Sequence, residues 1–309
     1  MTHRILLDVD TGTDDALAIM FAVKHPDIEL RAITCVDGNT TLGNVVANTL
    51  RILDVLDAPE IPVAAGATRP LIEEPRELPP SVHGADGLAN LPLPPSERPL
   101  EPMHAVELMR RELLASDEPL TIVPVGPLTN VALLLRMYPE LAPRIARILF
   151  MGGSAGRGNM TPVAEFNVHH DPEAAHIVLT SGVPLTMYGL DVFEIVAATP
   201  ERIDALGGSS AHLDQTAAAL LRYHSNRDEH GTIGDAGALC ALVHPELFTF
   251  ETLPVQMELT GARTRGQTVV DRRHSASVPA AGPAPALVSV ALDADIEGVV
   301  ELFMRTIQA

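Results

Sequence analysis

Four carboxylates fall within one short stretch of this 309-residue chain, Asp8-Val9-Asp10-Thr11-Gly12-Thr13-Asp14-Asp15. The apolar run Ile5-Leu6-Leu7 precedes them and Ala16-Leu17-Ala18-Ile19 follows, so they mark the point where a buried strand ends and a helix begins. In open α/β sheets ligands bind at this carboxyl end of the strands. Crowded acids repel one another, which raises the pKa of some of them unless a cation neutralises the group. Helix capping accounts for part of the cluster, because Asp14 and Asp15 fall in a first helical turn where acids favour the dipole. It does not account for all four, and a cation site is the chemistry that does.

The elements that must hold this cluster follow from periodicity and punctuation. Arg4–Asp10 predicts a buried strand, Asp14–Lys24 a helix, Ile28–Val36 a strand, Thr40–Leu56 a helix and Ile61–Ala65 a third strand. Strands alternating with helices of this length imply βαβ units and a mostly parallel sheet. The pattern resumes with a helix at Ala105–Leu114, a strand at Leu120–Val125 and a helix opening at Gly126-Pro127, where proline suits the first helical position. A strand at Arg147–Met151, a helix at Pro172–Thr180 and a strand at Pro184–Leu190 follow. Residues 199–243 read as helical, with start signals at Thr199-Pro200-Glu201 and Ser209-Ser210. Strands at Thr252–Leu259, Gln267–Asp271 and Leu287–Leu292 precede a closing helix, Ile296–Ile307. Residues 67–102 hold nine of the 26 prolines, which rules out regular helix or central strand there. Since the α/β pattern continues beyond them, they read as a long loop inside one domain spanning 1–309. The expected architecture is α/β, with a mixed, mainly parallel open sheet flanked by helices.

Composition narrows the partners. A formal charge of −19 opposes binding to a phosphate backbone, which selects Lys and Arg, and opposes docking on an anionic membrane. No apolar run approaches the ~18 residues needed to span a bilayer, and Met1–Asp10 enters a strand without a signal peptide. Cys35 and Cys240 stand far apart in apolar contexts, as buried free thiols would in a reducing compartment. The expectation is a cytoplasmic protein with a small-molecule ligand and neither nucleic acid nor membrane as partner.

Residues 8–19, DVDTGTDDALAI, resemble the signature of the inosine–uridine-preferring nucleoside hydrolase family, and further blocks follow in the family's order. Val36-Asp37-Gly38-Asn39-Thr40 is similar to the second block and His83-Gly84-Ala85-Asp86-Gly87-Leu88 to a loop motif. Val125-Gly126-Pro127-Leu128-Thr129-Asn130 resembles a helix start. Met151-Gly152-Gly153, Gly158-Asn159, Ala164-Glu165-Phe166-Asn167 and Asp171-Pro172-Glu173-Ala174-Ala175 resemble the ribose-binding block. Gly234-Asp235 stands in the place of the last metal-binding motif, and Arg265–Asp271 is similar to the family's tail. Each block alone is weak, but their order along nearly the whole chain is specific.

The resemblance implies a Rossmann-like fold and Ca²⁺-dependent hydrolysis of the N-glycosidic bond of ribonucleosides. It implies that Asp10, Asp15 and Asp235 hold Ca²⁺ together with the Val125 backbone carbonyl, an all-oxygen set that suits a hard cation. The ribose pocket would be Asp14, Asn39, Asn159, Glu165 and Asn167, with His83 as a wall near the sugar. Glu165 and Asn167 flank Phe166 and would point the same way on extended backbone. Ca²⁺ is too weak a Lewis acid to bring water near pKa 7 by itself, so a carboxylate base is needed, and Asp10 is the choice. The resemblance further implies a homo-oligomer, dimer or tetramer.

One departure stands out. The family commonly carries a histidine directly before the last metal aspartate, where it can protonate the departing base; here that residue is Gly234. The stacking tryptophan of a purine-specific branch is also absent, since the chain has no Trp. Tyr223, His224, Arg227 and His230 are nearby substitutes, with His230 the best placed as leaving-group acid. Two rivals remain open. A non-catalytic nucleoside-binding protein on the same fold is one, motivated by Gly234. The other is a haloacid dehalogenase-type phosphatase, whose nucleophile motif Asp8-Val9-Asp10 resembles, although that motif wants Thr or Val where Gly12 stands.

Overall fold

The computed structural model describes residues 2–74, 83–228, 231–273 and 284–309, with backbone alone for 224–228. The chain opens with β1 (His3–Val9), α1 (Thr13–Lys24), β2 (Ile28–Cys35), α2 (Leu42–Val55) and β3 (Val63–Ala65). It continues with α3 (Ala105–Ala115), β4 (Leu120–Pro124), α4 (Thr129–Met137), β5 (Ile145–Met151), α5 (Phe166–His170), α6 (Pro172–Leu179), β6 (Leu185–Tyr188) and α7 (Leu190–Phe193). The remainder is β7 (Ala197–Ala198), α8 (Pro200–Gly207), α9 (His212–Asp228), β8 (Gly231–Thr232), α10 (Ala236–Val243), β9 (Phe248–Met257), β10 (Thr268–Val270), β11 (Ala286–Ala294) and α11 (Ile296–Ile307).

Nine strands form one sheet in the order β10-β9-β11-β6-β5-β4-β1-β2-β3. Every pairing from β3 across to β11 is parallel, and β9 alone runs against its two neighbours. The mixed, mainly parallel sheet expected from the βαβ rhythm is therefore present. Alternation along β1 sends Ile5, Leu7 and Val9 into a core with α1, α2, α9, α10 and α11, and Leu6 into a second core with α3, α4 and α6. Helices thus cover both faces, as parallel strands buried on both sides require.

Several boundaries differ from the sequence reading. The helix expected at Gly126-Pro127 begins at Thr129, with Leu128 as its N-cap. A Cβ at Gly126 would stand 2.6 Å from the Asp10 carboxylate Oδ1, so this stretch is backbone laid against the acid cluster rather than a first helical turn. The described residues of 199–243 form three helices, and the second and third are separated by β8, which pairs antiparallel with β7. Phe166, expected on extended backbone, instead opens the short helix α5. The strand placed at Pro184–Leu190 ends at Tyr188, because Leu190 begins α7, and the one placed at Thr252–Leu259 runs over Phe248–Met257. The proline-rich stretch carries no helix or strand among its described residues, and its Arg98 holds the end of α2 by donating to Ala58 O at 2.6 Å and Leu53 O at 3.1 Å. Cys35 and Cys240 are buried free thiols. Among the described residues no helix is long and apolar enough to cross a membrane.

Candidate active site

The sheet order reverses at β1. From it the chain order runs outward through β2 and β3 on one side and through β4, β5 and β6 on the other. A crevice opens at such a switch point, outside the carboxyl ends of the two flanking strands, and ligands bind there. The loop after β4 carries Val125 into that crevice, and the loop after β1 carries Asp10, which is fully buried and does not itself line the cavity. Asn130, fully buried on α4, fixes the mouth: its Nδ2 donates to Asp8 Oδ1 at 2.9 Å and to Cys35 O at 3.0 Å, and its Oδ1 accepts from Ala67 N at 2.9 Å. Three strand ends are thereby tied to one amide. Asp8 also accepts from the Thr34 hydroxyl at 2.6 Å, which makes it a buried strut below the crevice.

The other acids converge above it. Asp15 Oδ1 accepts from Asp10 N at 3.0 Å, and its Oδ2 accepts from Gly12 N at 2.9 Å and Asn39 Nδ2 at 3.1 Å. Asp10 Oδ2 accepts from Asn39 N at 2.7 Å, whereas its Oδ1 is buried without a hydrogen-bond partner, as is Asp14 Oδ1. Helix α10 packs against α1 and brings Asp235 to the group. Asp235 occupies the N-cap position of α10, but its side chain makes no capping bond, so its carboxylate is left for the crevice. One oxygen each of Asp14, Asp15 and Asp235 lie within 4.8 Å of one another. The tightest trio therefore contains Asp14, with Asp10 tied to it through Asp15. Among the described residues no Lys or Arg forms an ion pair with Asp10, Asp15 or Asp235.

Burial makes this arrangement costly without a counter-charge. It pushes Asp8, Asp15 and Glu165 up to about 7, and it holds Asp10 and Asp235 well above the usual carboxylate range with their acidic neighbours adding to the effect. An unpaired buried carboxylate is strongly disfavoured. Carboxylate oxygens gathered in this way, two of them unpartnered, with a backbone carbonyl nearby, are the donor set of a hard divalent cation. The residues present fit one.

A cavity of about 890 Å³ extends outward from the cluster. Of the expected sugar residues, Asp14, Asn39, His83, Asn159, Glu165 and Asn167 all line it, together with Val125 and Asp235. Glu165 and Asn167 do not reach it side by side on extended backbone, as the alternation predicts. Glu165 caps α5, its carboxylate accepting from Asn167 N at 2.9 Å, Val168 N at 3.2 Å and Gly153 N at 2.9 Å, and the helical turn turns Asn167 inward. Asn167 Nδ2 donates to the Val125 carbonyl at 2.7 Å. Asn159 Oδ1 accepts from Phe166 N at 2.9 Å, and His83 Nδ1 lies 2.9 Å from the Thr13 hydroxyl and 3.7 Å from Asp14 Oδ1. His230 lies outside the described residues, as do the side chains of His224 and Arg227; Tyr223 is not among the cavity's lining residues. Sequence reasoning missed the outer wall, where Arg157 pairs with Glu194 and Arg202 with Glu297 beside Phe193 and Ile195. These are single residues on loops and helix starts with no spacing to flag them. Asn130 was visible within a quoted motif, but its role as a clasp was not.

The model of the inosine-uridine preferring nucleoside hydrolase family matches residues 5–301. The pyrimidine-specific ribonucleoside hydrolase RihA of Shewanella baltica is 44% identical over 279 residues, covering 88% of this chain and 87% of its own length. The RihA of an Escherichia coli strain is 43% identical over 311 residues, covering 98% of this chain and 97% of its own. A solved plant nucleoside hydrolase, PpNRh1, superposes with a TM-score of 0.93 at 29% identity, covering all of both chains.

Proposed function

Because this chain belongs to the inosine-uridine preferring nucleoside hydrolase family, and is therefore an N-glycosyl hydrolase acting on ribonucleosides, we propose that its catalysis depends on Ca²⁺ and favours pyrimidine ribonucleosides. The observation that carries the cation is the pair of unpartnered buried oxygens, Asp10 Oδ1 and Asp14 Oδ1, within a group of buried acids that lacks an Arg or Lys ion-pair partner among the described residues. The base preference rests on the pyrimidine-specific relatives.

Asp10, Asp15, Asp235 and the Val125 carbonyl would hold the cation, with Asp14 beside them. A bound Ca²⁺ supplies the positive charge these oxygens need, with coordination capacity left for hydroxyl oxygens. Asp10 Oδ1, free of other bonds, takes the proton of the attacking water, which general-base catalysis values at about 10²–10⁴-fold. Asp14 Oδ1 accepts from a ribose hydroxyl, and the Asn39 and Asn167 amides offer a donor and an acceptor each, as a diol requires. Cleavage of the glycosidic bond leaves positive charge on the ribosyl ring, and the surrounding carboxylates are preorganised to stabilise it. Water is consumed, and ribose and a free base are released.

Exhaustive chelation is expected to abolish turnover, and Ca²⁺ to restore it. Stability should follow. Asp15 and Glu165 have folded-state pKa values raised to about 7, so their contribution is full below their unfolded values of about 4 and is lost as pH rises through about 7. The chelated protein should therefore lose melting temperature from about pH 5 to about pH 8, and added Ca²⁺ should raise it more at the higher pH. Full turnover in protein proved metal-free by elemental analysis would overturn the cation's role.

A further inference from the structure

The leaving base needs help, and the backbone excludes the position from which the family commonly gives it. Gly234 has φ +56°, a conformation that disfavours any side chain. A Cβ built there would lie 2.5 Å from Asp14 Cβ and 3.3 Å from Asp14 Oδ2. An imidazole at 234 could enter only by displacing Asp14, one of the acids of the cavity floor. The residue before Asp235 is thus a glycine because Asp14 packs against it, and no side chain can act on the base from there.

The cavity lining carries charges of both signs. Asp14, Glu165 and Asp235 are buried with no Arg or Lys ion pair among the described residues, whereas Arg157 and Arg202, the only Arg or Lys side chains among its described lining residues, are each paired with a glutamate of the same lining, Glu194 and Glu297. The lining also includes apolar Phe193, Ile195, Ile296 and Val300. Arg157 lies two residues before Asn159, on the loop that leads into the sugar residues, and meets Glu194 at 2.5 Å. Arg202 stands in the first turn of α8 and meets Glu297 of α11. Arg157 and Glu297 are largely exposed, at 76% and 73%, so both pairs can exchange partners at small cost.

Resting on the hydrolase reading above, we propose that Arg157 and Arg202 are the leaving-group residues of this enzyme, stabilising the departing base by charge and hydrogen bonding rather than by proton donation. When the C1′–N bond breaks, its electron pair passes to the base. In a pyrimidine this negative charge spreads onto the ring carbonyl oxygens. A guanidinium is always charged, offers several N–H donors, and forms short bonds to anionic oxygen. It does not protonate the base. The base anion takes its proton from solvent after departure, while Asp10 returns to solvent the proton gained from the attacking water, so the reaction balances as water plus nucleoside to ribose plus base. The lining thus offers carboxylates to the ribosyl cation and, once Arg157 and Arg202 exchange Glu194 and Glu297 for the base, guanidiniums to the base anion.

The test compares two substrates in the Ca²⁺-loaded protein. Uridine needs stabilisation of its leaving group, whereas p-nitrophenyl riboside releases a stable nitrophenolate. In Arg157→Met, Arg202→Met and the double variant, the ratio of kcat/KM for uridine to that for the nitrophenyl riboside is expected to fall, by at least about tenfold in the double variant, a modest figure beside buried oxyanion donors. Lys at either position should recover part of the ratio. An unchanged ratio in the double variant, or equal loss on both substrates, would overturn the proposal. So would a fall of the ratio in His230→Ala with the arginine variants unaffected, since that assigns the role to a proton donor. Wild-type protein that cleaves neither substrate would instead count against the hydrolase reading itself.

Discussion

Asp10→Ala is expected to lower kcat for ribonucleosides by at least about 10³-fold while the protein remains folded. Asp10 has one committed oxygen and one free one: Oδ2 accepts from Asn39 N at 2.7 Å, and Oδ1 has no partner although the residue is fully buried. The alanine variant removes both the base and a proposed cation ligand. Asp10→Asn separates these from mere positioning, because its amide oxygen can keep the bond to Asn39 N while an NH₂ replaces the basic oxygen. Both variants should fall by a similar order. The measurement is kcat alongside circular dichroism and metal content, and a near wild-type rate in a folded, Ca²⁺-loaded variant would remove Asp10 from the role.

A 2′-deoxyribonucleoside should be a poorer substrate by a factor reaching about 10⁴ in kcat/KM, because a site built to bond a hydroxyl leaves its own polar groups unpaired when that hydroxyl is missing. Asp14 Oδ1 is the group most exposed to this penalty, being buried, in a residue that lines the cavity, and without a hydrogen-bond partner. The Asn39 and Asn167 amides already have partners in Asp15 and Val125 and can fall back on them. Asp14→Ala should therefore erase most of the preference for the ribonucleoside. Comparable kcat/KM for uridine and deoxyuridine in the wild type would mean that the 2′-hydroxyl is not held there.

The parts of this site legible in the sequence are those where local pattern and chemistry coincide. An apolar strand running into Asp8, Asp10, Asp14 and Asp15 fixes a place on the sheet, and the structure puts the crevice there. What could not be read depends on contacts between distant segments. Glu165-Phe166-Asn167 alternates like a strand, and only the bond from Gly153 N, with those from Asn167 N and Val168 N, makes it a helix cap. Gly126-Pro127 looks like a helix start, yet close approach to Asp10 delays the helix to Thr129. Asp14, read as a sugar residue alone, meets the distant Asp235 as well as its neighbour Asp15, because the packing of α10 on α1 sets which acids meet. The reason for Gly234 was likewise hidden: its left-handed backbone and its contact with Asp14 exist only in the fold.

The most direct measurement is of free ribose formed when the Ca²⁺-loaded protein meets uridine. Cleavage of the N-glycosidic bond by water predicts ribose and uracil in equal amounts over many turnovers, with no requirement for phosphate and no product after chelation. Saturable binding of uridine to the loaded, folded protein without release of ribose would contradict it, and would make this fold a nucleoside-binding protein.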